Sequence, residues 1–324
     1  MTSQRLRLLT LNVTQTCDAS CMYCHWWRVR GPHPPLDSLV AAVDEAAALG
    51  ALAVRISGGE PLLRQDLPAL VSAIRRRELV SMICTAGNRA RDSLLALLNA
   101  GLDLLSVSID TIEPTVFHQL RGYALESVLE NVVALADLRR TLGFEIIIST
   151  VLTRLNVDLL ADLLAFVRRL DLLWSITPFQ DGEPSRSSPM RKLAFAPEDS
   201  PRIESAVRLI KTAADDGLRV INGDRYLDGF SDFLTRRSLP PGHVCRAGDT
   251  AGIRMVDGSL KLCHSLPSLA GGPLGEQWES NEAVQLRNRM AQLDCPSCWL
   301  SCHADRRRRV SLHYGDPRLL EALQ

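Results

Sequence analysis

Residues 6–24 read Leu6-Arg-Leu-Leu-Thr-Leu-Asn-Val-Thr-Gln-Thr-Cys17-Asp-Ala-Ser-Cys21-Met-Tyr-Cys24. The compact apolar run over residues 6–13 predicts a buried β-strand, and the three cysteines follow it in a loop. Parallel α/β folds place their chemistry at the carboxyl ends of the strands. Three thiolates at that position suit an iron–sulfur cluster or a zinc ion. A cluster with only three protein ligands leaves one iron open to a small molecule.

The pattern of the first strand repeats along the chain. Short apolar runs alternate with segments of helical spacing, which predicts parallel strands joined by right-handed crossovers. Strands are predicted over 6–13, 51–56, 79–84, 104–109, 145–152 and 173–177, and helices over 36–49, 66–77, 91–100, 126–141, 157–170 and about 198–216. The fold class is therefore α/β, as a doubly wound sheet or as a full or partial barrel. From Pro240 onward, turn-forming residues predict a small, loop-rich domain.

The composition excludes several classes of partner. The chain has 324 residues, of which 37 are basic and 37 acidic, so its formal net charge is zero and argues against a nucleic-acid or acidic-lipid surface. No apolar stretch reaches the roughly 20 residues that a bilayer span needs, and no signal-peptide core precedes the first strand. We therefore expect a cytoplasmic protein without nucleic-acid or membrane partners. In that compartment the nine cysteines are expected to be metal ligands or catalysts rather than disulfides.

Further polar motifs end the next three strands. Ser57-Gly58-Gly59-Glu60-Pro61 follows the second strand; its glycines let the backbone approach a ligand, and the Glu60 carboxylate can pair with an ammonium group. Thr85-Ala-Gly87-Asn88 follows the third strand, directly after Cys84, which is expected to be a buried and inert thiol. Ser106-Val-Ser108-Ile-Asp110 ends the fourth strand and precedes Arg121-Gly122.

With these motifs in this order, the chain resembles the radical S-adenosylmethionine (SAM) superfamily. The resemblance implies a partial (β/α)6 parallel barrel and a [4Fe–4S] cluster on Cys17, Cys21 and Cys24, whose open iron binds SAM. One electron, from a donor such as flavodoxin or ferredoxin, then cleaves SAM to a 5′-deoxyadenosyl radical that takes a hydrogen atom from the substrate. The cofactor-binding residues that the resemblance implies are Tyr23, Gly58, Gly59, Glu60, Ser108, Asp110 and Arg121. Tyr23 matches a position that lies against adenine, with loop packing as its alternative role.

A second group of cysteines lies near the C-terminus. Cys245 and Cys263 precede Cys295-Pro-Ser-Cys298-Trp-Leu-Ser-Cys302, a spacing that fits zinc and an iron–sulfur cluster equally. After the radical SAM motifs, this pattern resembles the auxiliary-cluster domains called twitch and SPASM, and five cysteines fit the one-cluster twitch form. The resemblance implies such a domain over 231–324, behind a barrel with a connecting segment over 1–230. It also implies a second [4Fe–4S] cluster on Cys245, Cys263, Cys295 and Cys298, unless Cys302 replaces Cys295 or Cys298.

Under that assignment Cys302 is a free thiol beside a radical site. An S–H bond can give a hydrogen atom to a carbon radical, and relatives that epimerise sugars or peptide residues use a cysteine in this way. We therefore expect an epimerase of a sugar or aminocyclitol unit in natural-product (antibiotic) biosynthesis, with a small-molecule or carbohydrate substrate. The alternatives are a dehydrogenase of a sugar alcohol or aminocyclitol, a peptide maturase, and a non-catalytic zinc or iron–sulfur protein.

Overall fold

All strands in the described part of the chain belong to one sheet. The computed structural model describes residues 5–31, 33–180, 190–296, 298–300 and 310–323. The strands are β1 (Leu8–Asn12), β2 (Ala53–Ser57), β3 (Val80–Thr85), β4 (Leu104–Ser108), β5 (Glu145–Leu152), β6 (Leu173–Pro178), β7 (Ala251–Arg254) and β8 (Leu260–Lys261). The helices are α1 (Leu36–Ala48), α2 (Leu67–Arg76), α3 (Arg91–Asn99), α4 (Pro114–Arg121), α5 (Glu126–Ala136), α6 (Arg139–Leu142), α7 (Leu160–Arg169), α8 (Ser200–Asp215), α9 (Asp224–Asp228), α10 (Phe230–Arg236), α11 (Ala247–Thr250), α12 (Leu274–Glu279), α13 (Asn281–Ala291) and α14 (Leu319–Leu323). Within these ranges no helix combines the length and the apolarity that a membrane crossing requires.

The strand order decides between the two architectures that the sequence leaves open. Strands β1 to β6 neighbour one another in chain order, and each neighbouring pair is parallel. A doubly wound sheet reverses its order near the middle, whereas a barrel winds in one direction. The second edge of β1 pairs with β7 and not with β6. The fold is therefore a partial (β/α)6 barrel, and β8 adds an antiparallel strand beyond β7.

One prediction about elements needs correction. The segment 126–141 is not one helix: α5 ends at Ala136, and the Leu138 amide donates to the carbonyl three residues back before α6 begins. The region after Pro240 contains β7, β8, α12 and α13 between its predicted loops. Buried Trp278 joins this region to the main hydrophobic core. The domain boundary between residues 230 and 231 stays a prediction.

The C-terminal segment closes the end of the barrel at which the strands begin. The first residues of four strands point inward there and pack against Leu319 and Ala322 of α14; they are Ala53, Val80, Leu104 and Leu173. Glu145, the first residue of β5, is fully buried beside them. Its carboxylate accepts hydrogen bonds from Arg219 Nη1 at 2.8 Å and from the His313 amide at 2.7 Å. One carboxylate thus joins the barrel to the C-terminal segment.

Replacing Glu145 with alanine should destabilise the protein strongly, because it removes the buried counter-charge of the Arg219 guanidinium and leaves it only the exposed carboxylate of Asp171. We expect the free energy of unfolding in urea to fall by about 3–5 kcal/mol. The control is Arg236→Ala, which removes an exposed ion pair with Asp232 and should cost less than about 1 kcal/mol. Equal losses in the two variants would contradict this account of Glu145.

Candidate active site

The cysteine loop, residues 13–24, leaves the carboxyl end of β1 and is held on its first side by the turn after β2. The Gly59 amide donates to the Thr14 carbonyl at 2.8 Å. The Glu60 amide donates to the Thr16 carbonyl at 2.9 Å. These bonds continue the pairing of β1 with β2 and fix the backbone just before the first cysteine.

The second side of the cysteine loop is held by the last turn of α4. The Met22 amide donates to the Leu120 carbonyl at 2.8 Å, and the Ser20 amide donates to the Arg121 carbonyl at 3.2 Å. The backbone between the first and third cysteines is therefore fixed by a segment about 100 residues away in the sequence.

Gly58 and Gly59 permit the close approach on the first side. A Cβ atom on Gly59 would lie under 3.0 Å from the Thr16 carbonyl oxygen. A Cβ atom on Gly58, whose φ is +126°, would meet the Thr14 carbonyl oxygen in the same way. The sequence predicts that these glycines let the backbone approach a ligand. The structure shows that they admit the backbone of the cysteine loop.

Glu60 faces inward and is 2% exposed. Its carboxylate accepts hydrogen bonds from the Thr85 hydroxyl at 2.7 Å, the Ala86 amide at 2.7 Å and the Leu62 amide at 3.0 Å. Burial raises the pKa of the Glu60 carboxyl, while these hydrogen bonds oppose the rise. Glu60 thus ties the end of β2 to the end of β3. Because both carboxylate oxygens already have donors from the protein, its pairing with a cofactor ammonium stays a prediction.

A buried ion pair lies behind the cysteine loop. Arg121 donates from Nε and Nη2 to the two carboxylate oxygens of Asp110, at 2.7 and 2.8 Å. The Tyr23 hydroxyl donates to the same carboxylate at 2.6 Å. Burial opposes the charge of Arg121, but Asp110 outweighs it and holds the pKa of Arg121 above its ordinary range. Arg121 therefore stays protonated inside the protein.

Arg121 approaches the cysteine loop with its third nitrogen. Nη1 lies 4.0 Å from Sγ of Cys21, and the guanidinium carbon lies 5.2 Å from the centre of the Tyr23 ring. This nitrogen is the one not bonded to Asp110, and the role of Arg121 in cofactor binding stays a prediction. Tyr23 lies against Arg121 and donates to Asp110, and its contact with adenine stays a prediction. Ser108 lies half-buried at the carboxyl end of β4.

The thiols of Cys17, Cys21 and Cys24 are close enough to influence one another's ionisation. Burial raises the pKa of Cys17 to about 12, and the charges of the other two thiolates add to the rise. Burial also raises the pKa of Cys21 and of Cys24, and the positive charge of Arg121 opposes both rises. Bound iron would supply the positive charge that buried thiolates need. The donor set therefore fits a cluster held by three thiolates.

The described residues contain no group of three or more His, Cys, Asp or Glu side chains arranged to hold a single metal ion. Each thiolate of a four-iron cluster binds a different iron atom, so its ligands do not converge on one point. The observation therefore argues against a single bound ion such as zinc among the described residues and does not bear on a four-iron cluster. The cluster ligands stay predictions.

Three further residues support the site, and two of them, Asn156 and Arg89, give no signal in the sequence. Asn156 donates to the Asp110 carbonyl at 2.8 Å, and Arg89 pairs with Asp18 at 2.5 Å beside the first cysteine. The Trp27 indole nitrogen donates to the carbonyl of Cys21 at 3.1 Å. Of these three, only Trp27 gives a signal in the sequence, because it lies close to the third cysteine.

The C-terminal cysteines form a second group. Cys245 and Cys298 are buried, whereas Cys263 and Cys295 are half-buried. Burial raises the pKa of Cys245, and the nearby Cys263 and Cys295 add to the rise. Cys263 and Cys298 line a common cavity. The four predicted auxiliary ligands thus lie in one neighbourhood, while Cys302 lies outside the described residues.

Residues 11–167 match the sequence model of the Radical SAM superfamily. This part of the chain is a radical SAM domain. It contains the cysteine loop, the turn after β2 and the Asp110–Arg121 pair, so the resemblance drawn from the motifs is confirmed. A radical SAM domain implies SAM and one [4Fe–4S] cluster as cofactors.

Curated relatives match about half of the chain. Over 163 residues the chain is 32% identical to a probable GTP 3′,8-cyclase of Methanococcus maripaludis, covering 49% of this chain and 51% of the relative. Over 195 residues it is 31% identical to a GTP 3′,8-cyclase of Aeromonas hydrophila, covering 56% of each. The chain therefore spans about half the length of the curated relatives that it matches.

Solved structures extend the likeness beyond the radical SAM domain. SuiB of Streptococcus suis bound to precursor peptide SuiA is similar with a TM-score of 0.70 and 17% identity, over 92% of this chain and 71% of SuiB. The protein anSMEcpe with bound AdoMet is similar with a TM-score of 0.65 and 17% identity, over 89% of this chain and 83% of that one. At this level of identity the likeness shows a shared fold.

Replacing Gly59 with alanine should displace the cysteine loop, because the added Cβ would collide with the Thr16 carbonyl. After anaerobic reconstitution we expect this variant to lose about half of its iron and sulfide, the share predicted for the first cluster. Gly275→Ala is the control, since the nearest atom to its added Cβ is 3.9 Å away. If Gly59→Ala and Gly275→Ala held equal iron, the close approach would not be needed for the cluster.

Proposed function

We propose that this protein is a radical SAM enzyme that epimerises a sugar or aminocyclitol unit of a natural product, with a cysteine as hydrogen donor. The observation that carries the proposal is the placement of two groups of thiols around one strand. The carboxyl end of β1 continues into the cysteine loop, and one edge of β1 pairs with β7. β7 lies between Cys245 and Cys263 in the sequence. The same strand thus positions both groups.

In this proposal each group of thiols holds one cluster. Cys17, Cys21 and Cys24 hold the cluster that binds SAM, and the region 231–324 holds an auxiliary cluster on Cys245, Cys263, Cys295 and Cys298. When bound, SAM and the first cluster supply a 5′-deoxyadenosyl radical. In the alternative, Cys302 replaces Cys295 or Cys298 as a ligand, and the cysteine that it replaces is then the free thiol.

The chain's own residues prepare the site for this chemistry. The backbone bonds of Gly59 and of Leu120 hold the cysteine loop in place. Arg121 stays protonated 4.0 Å from Cys21, where its charge favours the thiolate form. Trp27 binds the carbonyl of Cys21 and covers this part of the loop. These residues therefore hold the cysteine loop in place and favour the thiolate form of Cys21.

Cys302 is the cysteine that the four auxiliary ligands leave over, and this supports its role as hydrogen donor. Its S–H bond breaks as a C–H bond forms on the face of the substrate radical opposite to the abstraction. The resulting thiyl radical takes one electron and one proton to return to the thiol. A reduced flavodoxin or ferredoxin supplies that electron.

In deuterated water with SAM, a reductant and a panel of aminocyclitols and amino sugars, we expect one epimer with one deuterium at the inverted carbon. Cys302→Ala should still form 5′-deoxyadenosine but no epimer, because the donor thiol is gone. Mass spectrometry and NMR of the products measure both results.

The matched control is Cys84→Ala, because Cys84 is the one cysteine outside the two groups. It should keep epimer formation. If Cys84→Ala lost epimer formation and Cys302→Ala kept it, the hydrogen donor would be Cys84. If the product were an oxidised ketone, the enzyme would be a dehydrogenase and not an epimerase. Intact SAM in a protein loaded with iron would reject the radical chemistry altogether.

A second candidate is the cyclisation of a purine nucleotide. The identity of 31–32% over about half of the chain to two GTP 3′,8-cyclases favours it. GTP therefore belongs in the substrate panel. Conversion of GTP without turnover of any aminocyclitol would replace the epimerase proposal.

A further inference from the structure

A cavity of about 220 Å³ lies between the barrel and the C-terminal region. One wall comes from β1, β2 and β7, and the other comes from residues near the auxiliary cysteines, including Cys263 and Cys298. The basic residues that line it are Arg7, Arg55, Arg246 and His264. Among the described residues that line the cavity, Glu321 is the one acidic residue, and it pairs with Arg7 at 3.5 Å. The cavity therefore holds more positive than negative charge.

Arg55 is the residue that places positive charge inside the barrel. It is the middle residue of β2, in register with Thr10 of β1 and Met82 of β3. Ala53, two residues earlier on the same strand, packs inside the barrel together with Met82. Because side chains alternate along a strand, Arg55 faces the same interior. Arg55 lies closer to the carboxyl ends of the strands than the apolar layer that packs against α14.

Arg55 differs from the buried arginines of this protein. Arg64, Arg121, Arg139, Arg219 and Arg287 each donate to a carboxylate or carbonyl oxygen. In the described part of the chain, the half-buried Arg55 side chain makes neither a hydrogen bond nor an ion pair within the usual distances. The side chain of Arg246 on the opposite wall also makes neither, although Arg246 is exposed. Partly desolvated guanidinium groups are stabilised when they pair with oxyanions.

We propose that this cavity binds an oxyanionic group of the substrate, a carboxylate or a phosphate, with Arg55 as its anchor. The planar guanidinium fork matches either group through two parallel hydrogen bonds. Arg246 lines the cavity on the side of the C-terminal region and supplies a second positive charge for the bound group. The proposal rests on the proposed function only in calling the ligand a substrate. It narrows the substrate class to small molecules that carry an acidic group.

Equilibrium dialysis of the anaerobically reconstituted full-length protein tests the site. Inorganic pyrophosphate is the phosphate probe and succinate the carboxylate probe. We expect the protein to bind one of them, and Arg55→Met, which keeps the apolar stem and removes the fork, to bind it at least about tenfold more weakly. The control Arg208→Gln changes an arginine with a 69% exposed side chain on α8 and should bind like the unchanged protein.

Three results would overturn the proposal. The first is that the unchanged protein binds neither probe, and the second is that Arg55→Met binds as tightly as Arg208→Gln. The third is that Arg55→Met loses iron while the unchanged protein binds neither probe, which would make Arg55 a counter-charge of the auxiliary cluster. These readouts do not involve SAM cleavage. A protein that binds pyrophosphate but leaves SAM intact keeps this site and loses the proposed function.

Discussion

Backbone hydrogen bonds to the cysteine loop are the constraint on which the site depends. The turn after β2 bonds the loop before the first cysteine, and the end of α4 bonds it between the first and third cysteines. Both contacts are made by main-chain groups, so they fix the path of the loop independently of most side chains. Gly58 and Gly59 are the exceptions, because only residues without Cβ permit the contact made by the turn after β2. Three thiols are thereby held close together at the end of a buried strand.

The same strand connects the rest of the molecule to this loop. β1 pairs with β2 on one edge and with β7 on the other, so the auxiliary cysteines are placed relative to the first group through one sheet. The Asp110–Arg121 pair adds a buried positive charge beside the loop. At the opposite end of the barrel, Glu145 and α14 close the interior. The cavity that contains Arg55 lies between these parts.

The sequence predicted the six barrel strands to within about two residues and placed the cysteine loop correctly, because apolar runs and spacing are local signals. It did not predict α4, although Pro114 follows Glu113, whose carboxylate accepts from two amides of the first turn. It also could not show that Glu60 faces inward, since a motif does not specify the direction of a side chain. The support of Asp110 by Asn156 joins residues 46 positions apart, so it depends on the tertiary fold.

The central claim is that two separate groups of cysteines each hold a cluster. Iron and acid-labile sulfide per chain, measured anaerobically in a variant with Cys17, Cys21 and Cys24 all changed to alanine, test it most directly. The account predicts that this variant keeps about half of the iron and sulfide of the unchanged protein. Loss of all iron, with zinc retained, would contradict it and would make the C-terminal cysteines a structural zinc site.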